Sequence, residues 1–299
     1  MMKYPIILSP IAKTRVWGGD RLSAIGAEPP IGEHWVLSVR EDDNNTVLNG
    51  EFAGERLDSV LKSHPDFLGR DCAKDKFPLL IKFIDSKESL SIQVHPDDIS
   101  AAELGEECGK TEMWYIIDAE PESYIYFGIK EEYSEGEVKE AILSGVDPTP
   151  FLNKVQVKPG DCYFIAGGTP HAIGGGNYIC EIQQNCDTTY RIYDYGRPRE
   201  LHLGQAAASI KKNSTGYTNK GNILAECEYF TSELIKFEGE ISIDVTPERF
   251  ISLTVVKGKG SIIAGDCEYS VGERDSVFIP AGEEKYILRG NIELIKTTV

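Results

Sequence analysis

Positive charge is in short supply in this chain of 299 residues. Lysine and arginine together number 31, against 48 aspartates and glutamates, so the formal net charge is −17. An excess of negative charge this large disfavours general binding to nucleic acids or to anionic membranes. It still permits a small anionic ligand wherever basic residues gather locally.

Long hydrophobic runs are also missing. The most apolar stretch, Phe77–Ile84, is too short to cross a bilayer and carries Lys82 in its middle. The N-terminal residues lack the length and the cleavage pattern of a signal peptide. The seven cysteines are an odd number, are widely spread and form no Cys-x-x-Cys pair. These features predict reduced thiols, a cytoplasmic location and no membrane partner.

Short strand-like segments, rich in β-branched and aromatic residues, dominate the chain. Among them are two neighbouring strands predicted near the C-terminus, Phe250–Val256 and Ser261–Ala264. Helical patterns are few, and we expect helices only over Leu57–Ser63, Asp97–Leu104, Ser134–Leu143 and Leu201–Lys211. Many strands with few helices predict a mainly β protein, built as a sandwich or a barrel.

A weak internal repeat relates two parts of the chain. The segment DCYFIAGGTPHAI begins at Asp161 and DSVFIPAGEEKYI begins at Asp275, and in both an Asp-x-x-Phe-Ile strand leads into a tight turn. His171 of the first copy falls opposite Lys285 of the second. This pattern resembles that of the cupins, which implies two cupin-like jelly-roll barrels, with a few helices attached to the N-terminal part.

The predicted domains follow from a polar, turn-rich segment at 213–222, which is typical of a linker. Residues 1–212 would form the N-terminal cupin-like catalytic domain with its helical additions. Residues 223–299 would form a C-terminal cupin-like barrel, and because they contain no histidine we expect that barrel to hold no metal.

Four residues form a candidate metal site. Alternation along the strand SLSIQVHP puts Ser91, Gln93 and His95 on one face. Glu112 opens another strand, and His171 follows a Gly-Gly-Thr-Pro turn. Two imidazoles, a carboxylate and an amide oxygen suit Zn²⁺ with one position open, and two histidines with one carboxylate suit Fe(II) equally well. Spacing alone also allows each histidine to be an ordinary hydrogen-bonded residue.

Three basic residues stand in unusual contexts. Lys82 lies within an apolar strand, Lys110 precedes Glu112 by two residues, and Arg191 closes the run EIQQNCDTTYR. A buried cation needs a partner, because desolvating it alone is costly. That partner could be a neighbouring carboxylate or the phosphate group of a substrate.

Four segments in series resemble type I mannose-6-phosphate isomerases: FPLLIKFIDSKESLSIQVHPDD, GKTEMWYII, PGDCYFIAGGTPHAI and EIQQNCDTTYRIYDYGR. The resemblance implies one zinc ion per chain, held by Gln93, His95, Glu112 and His171. It further implies that Arg191 is the active-site arginine, and that the pocket is lined by Lys82, Ser91, Lys110, Glu181 and Asp187.

The activity that this resemblance implies is interconversion of mannose 6-phosphate and fructose 6-phosphate through an enediol. Such a reaction needs a base, a stabiliser for an oxyanion and an anchor for phosphate. We expect Arg191 and Lys110 to be catalytic, while the base stays open among Glu181, Asp187, Lys110 and a metal-bound water. Two alternatives are an Fe(II) cupin oxygenase and a non-catalytic sugar-phosphate sensor. The sequence leaves the oligomeric state open.

Overall fold

The structure, a computed structural model, describes residues 3–22, 28–73, 76–213 and 221–299. Most of the predicted linker at 213–222 therefore lies outside the described residues. Within the described ranges strands far outnumber helices, which confirms the prediction of a mainly β protein. No helix in those ranges is both long and apolar enough to span a membrane.

Contacts among the described residues divide the chain into two units, and neither unit is continuous in sequence. The first comprises Met1–Ile11, His34–Phe83 and Thr218–Val299. The second comprises Ala12–Glu33 and Ile84–Tyr217. The domains expected from the sequence, 1–212 and 223–299, stay a prediction.

The first unit is built on an antiparallel sheet of seven strands: β1 (Ile6–Leu8), β13 (Ile223–Glu226), β14 (Thr231–Asp244), β15 (Ile251–Ala264), β16 (Cys267–Gly272), β17 (Ser276–Ile279) and β18 (Lys285–Thr298). Their order is β1-β17-β15-β18-β14-β13, with β16 beside β15. A helix, α1 (Leu57–Ser63), belongs to the same unit. Apolar side chains such as Val255, Leu288 and Leu294 are buried in its core.

The N-terminal strand β1 pairs with a strand from the far end of the chain. Ile6 lies opposite Phe278 and Leu8 opposite Ser276, and both β1 side chains are buried. The contacts thus group the N-terminal residues with the C-terminal strands, although the two are separated by most of the sequence.

Strand β15 is one long strand over Ile251–Ala264, so the prediction of two strands there was wrong. Strand β15 pairs with β18 along most of its length, with a β-bulge between Val255 and Lys257. Gly258 has a φ of +87°, and a Cβ at this position would lie 2.1 Å from the Asn291 carbonyl oxygen. Gly258 and Gly260, which lie between the two predicted strands, instead allow β15 and β18 to approach closely.

The second unit contains most of the remaining strands and three helices: β2 (Ile11–Gly19), β3 (Ile31–Leu37), β4 (Leu79–Ser86), β5 (Ile92–Val94), β6 (Glu112–Ala119), β7 (Tyr124–Ile129), β8 (Leu152–Gln156), β9 (Cys162–Ile165), β10 (His171–Ile173), β11 (Asn177–Gln184), β12 (Tyr190–Tyr193), α2 (Asp98–Leu104), α3 (Glu135–Leu143) and α4 (Leu203–Ser209). Strands β3 and β4 each contain residues of both units, because the unit boundaries fall at His34 and at Ile84. One sheet has the order β12-β5-β10-β7-β8 and the other β2-β3-β4-β11-β6-β9. Both sheets contribute residues to one buried apolar cluster, which includes Trp114, Ile125 and Ile179.

Two helices of the second unit begin at residues that cap them. The Asp97 side chain accepts a hydrogen bond of 2.9 Å from the Ser100 backbone N–H at the start of α2. Ser134 and Glu137 form a reciprocal capping box at the start of α3. Because β5 ends three residues before α2, this cap also fixes where the chain turns after His95.

The internal repeat corresponds to matching local structure. In the first copy a strand covers Cys162–Ile165 and the next begins at His171. In the second copy a strand covers Ser276–Ile279 and the next begins at Lys285. Each copy is therefore a strand, a turn and a second strand with the same spacing.

Asn45 offers a test of how the first unit is held together. Its buried side chain accepts a hydrogen bond from the Ser38 backbone N–H and donates to the carbonyl oxygens of Ser9 and Trp35, at 2.8 and 2.9 Å. We expect Asn45→Ala to lower the free energy of unfolding by about 2–4 kcal/mol, because three backbone groups lose their partner. Urea denaturation measures this. Asn222→Ala, at an exposed position, is the control, and equal midpoints for the two variants would contradict the prediction.

Candidate metal centre

A row of polar side chains runs across three neighbouring strands of the five-stranded sheet. Gln93 in β5 lies directly opposite His171 in β10 on one side and opposite Arg191 in β12 on the other. Residues directly opposite each other in an antiparallel pair project to the same face of the sheet. The register therefore brings the amide, the imidazole and the guanidinium to one surface.

The other sheet and the end of β5 complete the cluster. Glu112, the first residue of β6, has carboxylate oxygens 3.5 Å from His95 Nε2 and 3.5 Å from His171 Nε2. The three candidate ligand atoms lie within 4.8 Å of one another. All three side chains are buried. The structure thus brings these predicted ligands together from positions up to 76 residues apart in the sequence.

Backbone carbonyl groups orient both imidazole rings. His95 Nδ1 lies 2.8 Å from the Thr188 carbonyl oxygen, and His171 Nδ1 lies 2.8 Å from that of Thr169. A carbonyl oxygen only accepts hydrogen bonds, so each Nδ1 carries a proton and each Nε2 faces Glu112. Burial lowers the pKa of His171 to about 4, which keeps its ring neutral at neutral pH. Rings oriented in this way by a backbone carbonyl group are typical of metal ligands.

Lys110 supplies positive charge at the centre of this cluster. Its ammonium group contacts the Glu112 carboxylate directly and lies 3.0 Å from His95 Nε2. Burial opposes the charge on Lys110, but the carboxylates of Glu112 and Glu181 outweigh that cost and raise its pKa above the ordinary lysine value. A cation is thus already favoured at this point, and a metal ion would compete with Lys110 for Glu112.

Gln93 contributes its amide group beside the histidines. Its Nε2 lies 3.4 Å from His171 Nε2, and its Oε1 lies 3.4 Å from Ser91 Oγ. A half-turn of the amide would exchange these atoms, so that oxygen faced the histidines and nitrogen donated to Ser91. Gln93, His95, Glu112 and His171 then fit a divalent cation that accepts nitrogen and oxygen ligands, such as zinc or iron.

Two further predicted residues lie close to the cluster. Glu181 is buried and accepts a hydrogen bond of 2.9 Å from Trp114 Nε1. Arg191 is half-buried and donates from Nη1 to the Glu200 carbonyl oxygen at 3.3 Å, whereas its buried Nε has no hydrogen-bond partner among the described residues. Burial and the nearby Arg199 lower the pKa of Arg191, yet a guanidinium group stays charged at neutral pH.

Asp187 and Lys82 are the remaining two predicted pocket residues. Asp187 is exposed between β11 and β12. Lys82 belongs to the first unit, where it is buried and lies 5.2 Å from the centre of the Trp35 ring. Their roles towards a substrate stay predictions.

Sequence reasoning missed the residues that support the ligands. The Thr169 and Thr188 carbonyl groups carry no side-chain signature, so no sequence signal could have identified them. Trp114 lies edge-on to the His171 ring, with ring centres 5.3 Å apart. Its spacing of two from Glu112 places both on one face of β6, a signal that was available.

Comparison with known proteins gives two family matches along the chain. Residues 9–132 match the model "Phosphomannose isomerase type I, catalytic domain", and residues 220–299 match "Mannose-6-phosphate isomerase, cupin domain". A probable mannose-6-phosphate isomerase of Bacillus subtilis (strain 168) is 35% identical over 316 aligned positions, covering 98% of this chain and 99% of the relative.

Solved structures agree with these matches. The crystal structure of the mannose 6-phosphate isomerase from Bacillus subtilis superposes with a TM-score of 0.89 at 34% identity, covering 99% of each chain. A zinc-bound mannose 6-phosphate isomerase has a TM-score of 0.80 at 15% identity, covering 98% of this chain and 99% of that one. At that lower identity the likeness concerns the fold alone.

Replacing a ligand tests whether the cluster binds metal. We expect His171→Ala to weaken binding of a divalent cation by at least about 100-fold, because it removes an oriented nitrogen donor. Calorimetric titration of metal-stripped protein measures the affinity. His64→Ala removes an imidazole that stacks on Phe67 in the first unit and should leave the affinity unchanged. Equal affinity in the two variants would show that the cluster is not the metal site.

Proposed function

Because the chain belongs to the family of type I mannose-6-phosphate isomerases and is a sugar-phosphate isomerase, we propose that it interconverts mannose 6-phosphate and fructose 6-phosphate with one zinc ion per chain. The observation that carries this proposal is the row Arg191, Gln93 and His171, with Glu112 and His95 beside it. It combines a set of metal ligands with a fixed cation on one face of a sheet.

Zinc is proposed over iron because a structural relative contains zinc, and the ligand set is compatible with it. Gln93, His95, Glu112 and His171 give the mixed nitrogen and oxygen set that zinc accepts, and the similarly folded isomerase described above was crystallised with zinc. When bound, the ion would act as a Lewis acid on the sugar oxygens.

The protein's own residues would handle charge and protons during the reaction. Moving a proton between C2 and C1 builds negative charge on a sugar oxygen. Arg191, permanently charged and with a buried Nε available, is suited to stabilise that oxygen. Lys110 keeps its proton at neutral pH because of Glu112 and Glu181, so its Nζ is suited to donate a proton to an oxyanion and take it back.

The remaining pocket residues are proposed to bind the substrate. Ser91 and Glu181 lie beside the cluster and offer a hydroxyl and a carboxylate to sugar hydroxyl groups. Lys82 is proposed to neutralise the phosphate, and the exposed Asp187 to contact a sugar hydroxyl. A phosphorylated sugar substrate and seven cysteines outside any disulfide support a cytoplasmic location.

Metal analysis with an assay tests the central proposal. We expect about one zinc ion per chain, and turnover of mannose 6-phosphate that chelation abolishes and zinc restores, because the site has a single set of ligands. Elemental analysis and a coupled assay for fructose 6-phosphate measure both. Oxygen consumption with bound iron would favour the oxygenase, and tight sugar-phosphate binding without turnover would favour the sensor.

Arg191→Lys separates oxyanion stabilisation from metal binding. We expect kcat to fall by about 100-fold or more while the zinc content stays unchanged, because a lysine cannot reproduce the fork of donors. Steady-state kinetics and elemental analysis provide the two readouts. Arg70→Lys, at an exposed arginine paired with Glu248, is the matched control. If Arg191→Lys has the same kcat as Arg70→Lys, Arg191 does not stabilise the oxyanion.

A further inference from the structure

Two loops of the second unit are joined by hydrogen bonds next to the metal centre. The α2–β6 loop covers residues 105–111, and the β11–β12 loop covers residues 185–189. The Glu106 carboxylate accepts hydrogen bonds from Thr188 Oγ1 and from the hydroxyl group of Tyr190, both at 2.9 Å. The first loop carries Lys110, and the second carries the carbonyl group that orients His95. The two loops therefore support the centre together.

Each of these loops carries a cysteine, and the two thiols meet. Cys186 Sγ lies 3.3 Å from the Cys108 carbonyl oxygen and also makes a hydrogen bond with the Cys108 side chain. Cys108 Sγ in turn lies 4.0 Å from the Asn185 carbonyl oxygen. The two thiols therefore lie within hydrogen-bonding distance of each other. The isomerase reaction proposed above uses neither thiol.

The surroundings of Cys186 favour its thiolate. The hydrogen bond with Cys108, together with those from Thr188 and the charge of Lys110, outweighs burial and lowers the pKa of Cys186 to about 6. Burial has the opposite effect on Cys162, whose pKa it raises to about 12. Cys186 itself is 5% exposed, but Cys108 is half-buried and offers a route from solvent. A thiolate beside a second, more accessible thiol is the arrangement found in redox-sensitive pairs.

We propose that hydrogen peroxide oxidises Cys108 and Cys186 to a reversible disulfide that ties the α2–β6 loop to the β11–β12 loop. The Cys186 thiolate attacks one peroxide oxygen, the O–O bond breaks and hydroxide leaves, which gives a sulfenic acid on Cys186. The hydroxide takes up the proton that the Cys186 thiol released on ionising and becomes water. The Cys108 thiol then attacks the Cys186 sulfur, the S–O bond breaks and the hydroxide leaves with the thiol proton as water. The two thiols lose two electrons, the peroxide gains two, and two water molecules form.

The disulfide would act on the metal centre through its neighbours. It removes the negative charge that Cys186 holds near Lys110. It also leaves an uncharged, weaker acceptor at the sulfur that accepts the Thr188 N–H hydrogen bond at 3.5 Å. Thr188 orients His95, so a shift of this loop changes the ligand geometry. We expect oxidation to lower kcat about tenfold and a dithiol reductant to restore it. This effect on kcat rests on the proposed function, whereas formation of the disulfide does not.

Peptide mapping of the full-length, metal-loaded protein after graded hydrogen peroxide tests the linkage. We expect a Cys108–Cys186 disulfide, the loss of two titratable thiols and full reversal by dithiothreitol. In Cys108→Ser, dimedone should label a sulfenic acid on Cys186, because the second thiol is missing. Cys186→Ser should form no such disulfide and should keep its kcat through the peroxide treatment. Cys267→Ser, which changes an exposed cysteine, should behave like the unchanged protein.

Several results would overturn the proposal. Oxidation of other cysteines while Cys108 and Cys186 remain reduced would do so, as would the absence of a dimedone adduct on Cys186 in Cys108→Ser. A mapped disulfide with unchanged kcat would overturn the effect on the metal centre. Lack of turnover in the fully reduced protein would count against the proposed isomerase function alone, since the mapping would still report the disulfide.

Discussion

The structure of the metal centre depends on the buried carboxylate of Glu112. A carboxylate taken out of water destabilises the fold strongly unless a cation lies against it. The chain meets this requirement with Lys110, whose ammonium contacts Glu112 and one imidazole. The histidine nitrogens that surround the same carboxylate allow a metal ion to meet the requirement as well. A metal ion held by these side chains would share the negative charge of Glu112 with Lys110.

The register of one sheet determines what surrounds that charge. Arg191, Gln93 and His171 are neighbours because β12, β5 and β10 pair at these residues. A slip of one residue would turn the side chains of a strand to the opposite face. Two of the candidate metal ligands, Gln93 and His171, therefore share a rigid sheet with Arg191, and the spacing of these three residues does not depend on a loop. This rigidity suits a reaction in which a proton moves between two adjacent carbons.

Local patterns in the sequence predicted a good part of the fold and of the centre. Alternation placed Gln93 and His95 on one face, and the spacing of Asp97 and Ser134 identified the starts of two helices. The meeting of Glu112 with His171 depends on pairing between distant strands, which no local pattern encodes. The sequence therefore grouped them only as a hypothesis, which the family resemblance then strengthened. The sequence also predicted a break in β15 near Gly258, where the structure has a continuous strand. Gly258 is needed there because a neighbouring strand approaches more closely than a side chain would allow.

The two copies of the internal repeat explain why the fold alone does not create the chemistry. Both copies have a strand, a turn and a strand that begins at His171 or at Lys285. His171 is buried against Glu112 and its ring is oriented by a backbone carbonyl group. Lys285 is exposed and pairs with Asp244 at 3.2 Å. The same backbone thus leads to a surface ion pair in one copy and to a buried histidine beside a carboxylate in the other. The difference between the two copies is the buried carboxylate. His171 lies beside Glu112 in a buried site that can attract a cation, whereas Lys285 forms only a solvent-exposed ion pair, which contributes little.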